Sequence, residues 1–161
     1  MNTLGKTLVA IGVCIVVFLS LFLTRDFGAP AGRAGEGFGT MRESLEDSIG
    51  ASYSIEEDIG HVAFDDGVIY ITKTKDQKIA LSYLFLNSQG TKYYLDSYYI
   101  ISDVTQTQWF VSENDTKTNY RITSADEIIT QCDNMPVKFE EYSVILGEEE
   151  TKIRLYYNRA Q

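Results

Sequence analysis

Histidine and cysteine are almost missing from this chain: His61, Cys14 and Cys132 are the whole complement in 161 residues. Cys14 sits inside an apolar run, so Cys132 is the lone thiol of the remainder and no internal disulfide can form there. Without a second histidine or an available cysteine, no zinc set can be completed around His61. The acidic neighbours Glu56, Glu57, Asp58, Asp65 and Asp66 lack calcium-loop spacing, so they read as turns and a solvated edge. A cysteine nucleophile at Cys132 would need His61 as its base, and nothing in the sequence brings the two together; Cys132 reads as a small buried residue. Basic residues are also in deficit, with 14 Lys and Arg against 23 Asp and Glu, a formal net charge of -9. A nucleic-acid partner needs a cationic track to neutralise phosphates, and docking on anionic lipid needs the same, so both are excluded as expectations. Three catalytic signatures are absent as well: a G-x-S-x-G elbow, a glycine loop followed by lysine, and H-E-x-x-H.

What is present begins with hydrophobicity. Residues 8–23, LVAIGVCIVVFLSLFL, carry no charge, and with Thr7 and Thr24 the uncharged stretch reaches 18 residues. That approaches the roughly 20 residues a helix needs to cross the hydrocarbon core. Lys6 and the α-amine precede it, Arg25 is offset by Asp26, and every acidic residue follows it. The positive-inside rule then leaves residues 1–6 in the cytoplasm, places a transmembrane helix at 7–24 and sends the rest outside the plasma membrane. Ala29-Pro30-Ala31 satisfies the small-x-small pattern of signal-peptide cleavage, so the alternative is a domain secreted after a cut near Ala31. Val13 before Cys14 does not fit a lipoprotein signal. Residues 25–39 hold five glycines from Gly28 to Gly39, and a stretch with so little to bury is expected to be a flexible linker.

Residues 40–161 read as one extracytoplasmic domain, mainly β, with antiparallel strands in a meander, barrel or sandwich and one or two short helices. An exported domain without a disulfide suits a Gram-positive bacterium. The first helix is predicted by Thr40-Met41-Arg42-Glu43, a capping box, by the stripe Met41, Leu45, Ile49, and by Gly50 as its stop. Asp65-Asp66-Gly67 between apolar runs predicts a hairpin, with the positive φ tolerated by Asp-Gly as the reason. The run from Ile79 to Leu86 is apolar on both parities and reads as a central strand. Extended segments follow at 93–101, 109–111, 120–123, 137–139, 142–146 and a last strand through Ile153, Leu155 and Tyr157. In that strand Lys152, Arg154 and Tyr156 should form a wet face. Ser124-Ala125-Asp126-Glu127 repeats the capping-box pattern and predicts a second short helix ending before Pro136.

Eleven tyrosines stand out. The doublets Tyr93-Tyr94, Tyr98-Tyr99 and Tyr156-Tyr157 each send one ring to either side of a strand, and the outward rings form the candidate binding face for a glycan or protein. No cofactor, metal site or catalytic residue is assigned. The layout of an apolar helix before a β-rich exported domain resembles pilin-like proteins. Counting from a cut after Gly5, however, Ala10 stands where that family has glutamate, and the glycine-rich linker replaces its long continuous helix. The layout also resembles small single-span surface proteins of Gram-positive bacteria. The expectation is therefore a membrane-anchored, noncatalytic binding or accessory domain with a protein or envelope-polymer partner. The alternatives are a small subunit of a membrane or cell-surface assembly, with Gly5 and Gly12 or Gly12 and Ser20 against another helix, and an envelope enzyme using paired carboxylates.

Overall fold

A computed structural model describes residues 37–49, 53–113 and 116–160. The apolar run at 8–23, most of the linker, the proposed stop Gly50 and Asn114-Asp115 lie outside the described residues. Among those described, no helix is long and apolar enough to cross a membrane.

The domain is mainly β. Strands β1 (Ile55–Ala63), β2 (Gly67–Thr74), β3 (Ile79–Leu86) and β4 (Tyr93–Ile101) form one antiparallel sheet in chain order. A second antiparallel sheet runs β5 (Phe110–Glu113), β6 (Lys117–Ser124), β10 (Glu149–Arg159) and β9 (Lys138–Leu146), and β7 (Gln131–Cys132) pairs with β8 (Met135–Pro136) as a separate hairpin. The expected meander holds through β4 only. In the second sheet the last strand inserts between β6 and β9, because Ile153 and Leu155 bury completely there. The two stretches read as separate at 137–139 and 142–146 are one continuous β9.

The two sheets pack face to face. Ile69, Ile71, Leu81 and Tyr83 from the first meet Tyr120, Ile122, Ile153 and Leu155 from the second in one core. The sheets are laddered separately, so their facing edges are joined by side chains. At one seam the Lys73 ammonium, almost fully buried, donates to Ile145 O at 3.2 Å and pairs with Glu57 at 3.3 Å. At the other, the Tyr99 and Phe110 rings stack 3.8 Å apart and Ser112 Oγ donates to Asp96 at 2.8 Å.

Helix α1 (Met41–Ile49) lies on the outer face of the first sheet, with Leu45 and Ile49 buried against Val68, Tyr70 and Leu84. A nine-residue helix is too short to hold by itself in water. Its cap, Glu43 N to Thr40 Oγ1 at 3.1 Å, contributes about 1 kcal/mol, whereas burying two aliphatic side chains contributes roughly 2 kcal/mol each. Packing therefore decides that the helix forms. It also explains why β2 and β3 are buried along almost their full length: one face meets the second sheet, the other the helix.

The second predicted helix is absent. Glu127 N bonds back to Ser124 O at 3.2 Å, making one turn, and the chain then runs extended. The Glu127 carbonyl that a helix would use accepts from the Tyr156 hydroxyl at 2.8 Å, and its carboxylate is held by Arg121 at 2.9 Å. Residues 125–137 form a strap across the outer face of the second sheet. That strap covers Tyr156, which is 1% exposed, so the face of β10 read as wet is partly dry.

The hairpin at Asp65-Asp66-Gly67 forms, for a different reason from the one expected. Its turn residues are Asp65 and Asp66, closed by Phe64 N to Gly67 O at 2.7 Å, and neither has positive φ. Gly67 lies in β2, and a Cβ there would stand 2.7 Å from Leu84 O and 2.9 Å from the Tyr83 ring. Close approach, not turn geometry, requires the glycine. Positive φ falls instead at Gln77, Gly90, Gly147 and the pair Asp133-Asn134 joining β7 to β8.

Candidate functional site

The tyrosine doublets alternate as strand geometry demands, yet they do not assemble one face. Tyr94 and Tyr99 point into the core, and Tyr157 packs on its margin. Of the outward rings, Tyr93 packs with the helix cluster, Tyr156 is covered by the strap on the opposite side of the domain, and only Tyr98 is exposed. His61 lies exposed on edge strand β1. Among the described residues no three His, Cys, Asp or Glu side chains come together as a ligand set.

A cleft of about 560 Å³ opens at one end of the sandwich, between the β1–β2 turn, the β7–β8 hairpin and the end of β10. Its size falls in the ordinary range for small-ligand sites. Phe64, Tyr157, Met135 and Pro136 supply apolar walls, while Asp65, Asp66, Lys138 and Arg159 supply charge. Phe64 is fixed from below by the stacked Tyr83 ring, 6.5 Å between centroids, and from the side by the edge of Tyr157 at 5.8 Å.

Alternation along β10 turns Arg159 toward the interior, and three contacts hold it. Its guanidinium lies 4.9 Å over the Phe64 ring, its Nε donates to Thr116 Oγ1 at 3.0 Å, and its terminal nitrogen pairs with Asp66 Oδ2. Thr116 in turn donates to Asp66 at 3.1 Å. The other carboxylate oxygen, Asp66 Oδ1, is buried with no hydrogen-bond partner among the described residues. A buried, unsatisfied carboxylate oxygen is costly, so this position favours a further donor.

The electrostatics follow from burial. Beneath the cleft, burial raises the Tyr83 hydroxyl above the usual tyrosine range, and the Asp66 charge pushes the same way. Burial likewise raises Tyr157, with Glu140 adding to it. Both hydroxyls therefore stay protonated donors at neutral pH. Lys138, exposed on the rim, makes no ion pair among the described residues. The cleft thus offers an aromatic and aliphatic floor, one fixed Arg-Asp pair and, at the rim, the exposed Lys138 ammonium.

Sequence reading singled out Asp65-Asp66-Gly67 as a turn and Tyr157 as half of a doublet. Arg159, Thr116, Lys138 and the hairpin residues Met135 and Pro136 were not recognised, because they converge from segments far apart in the chain. Compared with models of known protein families, with curated proteins and with solved structures, the chain gives no match.

Proposed function

We propose that this protein is a single-span, membrane-anchored extracytoplasmic domain that binds a partner or envelope component noncatalytically, with the cleft as its binding seat. The anchor reading rests on the uncharged residues 7–24, on Lys6 before them and on the acidic remainder after them. The observation that carries the binding reading is the cleft's composition, apolar walls with a few convergent polar groups, which is the usual make-up of a ligand site.

The chain's path supports the pairing of anchor and cleft. Phe38 bridges to Tyr93 at the start of β4, and Leu86 N bonds to Asp66 O at 2.9 Å. Phe38 thus joins the domain at the end of the first sheet that carries the Asp65-Asp66 turn, the end at which the cleft opens.

A photo-crosslinking residue placed at Lys138, expressed in the native cells, tests the reading. Adducts specific to position 138 and absent from the same probe at Glu148, at the far end of the domain, are the expected result. Equal capture from both positions, or none from 138, would remove the cleft as the binding seat. Protease accessibility of the domain in intact cells tests the orientation separately.

A further inference from the structure

We propose that the strap at 125–137 is a gate: it opens as a local unit while the sandwich stays folded, and its movement widens the cleft.

The strap buries polar groups of the sheet and leaves its own apolar side chains partly in water. Beneath it lie Asn119, Thr123 and Asn158, at 1%, 0% and 6% exposure, polar side chains on the outer face of a sheet. Asn119 Nδ2 donates to Asn158 Oδ1 at 2.9 Å, and Asn158 Nδ2 donates to Cys132 O at 2.9 Å. Water can replace the strap as a partner for Thr123 and Asn158, and Asn119 keeps its bond to Asn158. The strap's own apolar residues are not its anchors. Ile128 is 79% exposed, Ile129, Met135 and Val137 are half-buried, and only Cys132 is buried. A cover held by aliphatic burial loses about 1.5 to 3 kcal/mol for each large side chain it exposes. This one exposes one large side chain, the Tyr156 ring, which Phe139 still flanks; otherwise it loses hydrogen bonds, whose net contribution is smaller because water replaces them.

The attachments are few and polar. Glu127 makes the firmest of them: its carboxylate takes Arg121 and Thr123, and its carbonyl takes the Tyr156 hydroxyl at 2.8 Å and Arg154 at 3.5 Å. Lys117 holds Asp133 at 2.8 Å near the hairpin tip. Met135 and Pro136 of that hairpin are a wall of the cleft, so lifting the strap moves the wall. Segments with few buried apolar contacts open at free energies well below that of global unfolding. The gate's role in binding rests on the cleft reading above, while the opening itself does not.

Cys132, buried under the strap, reports the opening. In the full chain in detergent, with Cys14→Ala leaving Cys132 as the single thiol, maleimide labelling is followed at urea concentrations below the unfolding transition. Local opening predicts labelling on the order of 100-fold faster than global unfolding allows, and nearly flat in urea, because little surface is exposed. Glu127→Gln should raise the labelling rate about tenfold by weakening the Arg121 pairing, with little change in the urea midpoint of core fluorescence. Labelling that rises with urea along the slope of the global transition would overturn the gate. So would a Glu127→Gln variant that speeds labelling only as far as it lowers the midpoint. If that variant does not fold, the urea dependence of the chain retaining Glu127 decides alone. Loss of crosslinking at Lys138 with urea-independent labelling would sink the binding seat and leave the gate standing.

Discussion

Two glycines in this domain are needed for unlike reasons, and substitution separates them. At Gly67 a Cβ would strike Leu84 O and the Tyr83 ring, so Gly67→Ala must push a backbone or a core ring aside. The expected loss is roughly 1 to 3 kcal/mol, the usual range for overpacking, read as a lower urea midpoint with unchanged slope. At Gly90, φ is 68° and nothing stands within 4 Å of the added carbon. Gly90→Ala should cost about 1 kcal/mol through backbone strain alone. Equal losses at the two positions would contradict this account. The tyrosines teach a similar lesson about residue type. Eleven are present, and those of the doublets serve mostly as core and seam residues; the cleft takes just Tyr157 from them.

At the level of elements, the capping box at Thr40 and the repeat of its pattern at Ser124 met opposite fates. The first heads a stripe of three apolar residues that finds an open apolar surface on β2 and β3. The second is followed by Ile128 and Ile129 alone, while Glu127 has stronger partners in Arg121 and the Tyr156 hydroxyl than a helical turn supplies. A local motif therefore forms only where packing outweighs its competitors. For α1 this yields an ordering that thermal or urea denaturation checks: Leu45→Ala should cost about 3 kcal/mol, and Thr40→Ala about 1 kcal/mol. A larger loss at the cap than at Leu45 would mean that the helix, and not its packing, is the source of its stability.

At the largest scale, the described residues form a two-sheet sandwich with covers on both outer faces, a helix on one and the strap on the other. Its interior is rich in tyrosine hydroxyls, which makes its stability sensitive to alkali. Burial raises Tyr70, with the Asp58 acceptor adding to it, and burial also raises Tyr83 and Tyr120. Unfolded tyrosines ionise near pH 10. A hydroxyl with a raised folded pKa contributes stability that is fully present below that pH and is lost as pH rises through the folded value. The domain should therefore hold its stability through neutral pH and weaken progressively above about pH 10. Tyrosinate absorbance should show the exposed rings ionising first and the buried ones only as the sandwich unfolds. A single early transition for all tyrosines would refute it.

Antiparallel β structure, the first helix with its cap, the hairpin near Asp66, and a doubly covered β3 were all legible in the sequence. Each depends on residues close together in the chain, through side-chain period and local capping. The apolar run at 8–23 was equally plain, because hydrophobic length is a property of composition alone. Tertiary structure decided three other matters: the insertion of β10 between β6 and β9, the unwinding of the second helix into a strap, and the convergence of Phe64, Asp66, Thr116, Lys138 and Arg159 on one cleft. In each the deciding energy is a contact between segments far apart in sequence, such as Tyr156 with Glu127 on the strap or Arg159 with Asp66 across the sandwich. No periodicity encodes such contacts, and they exist only once the sheets have packed.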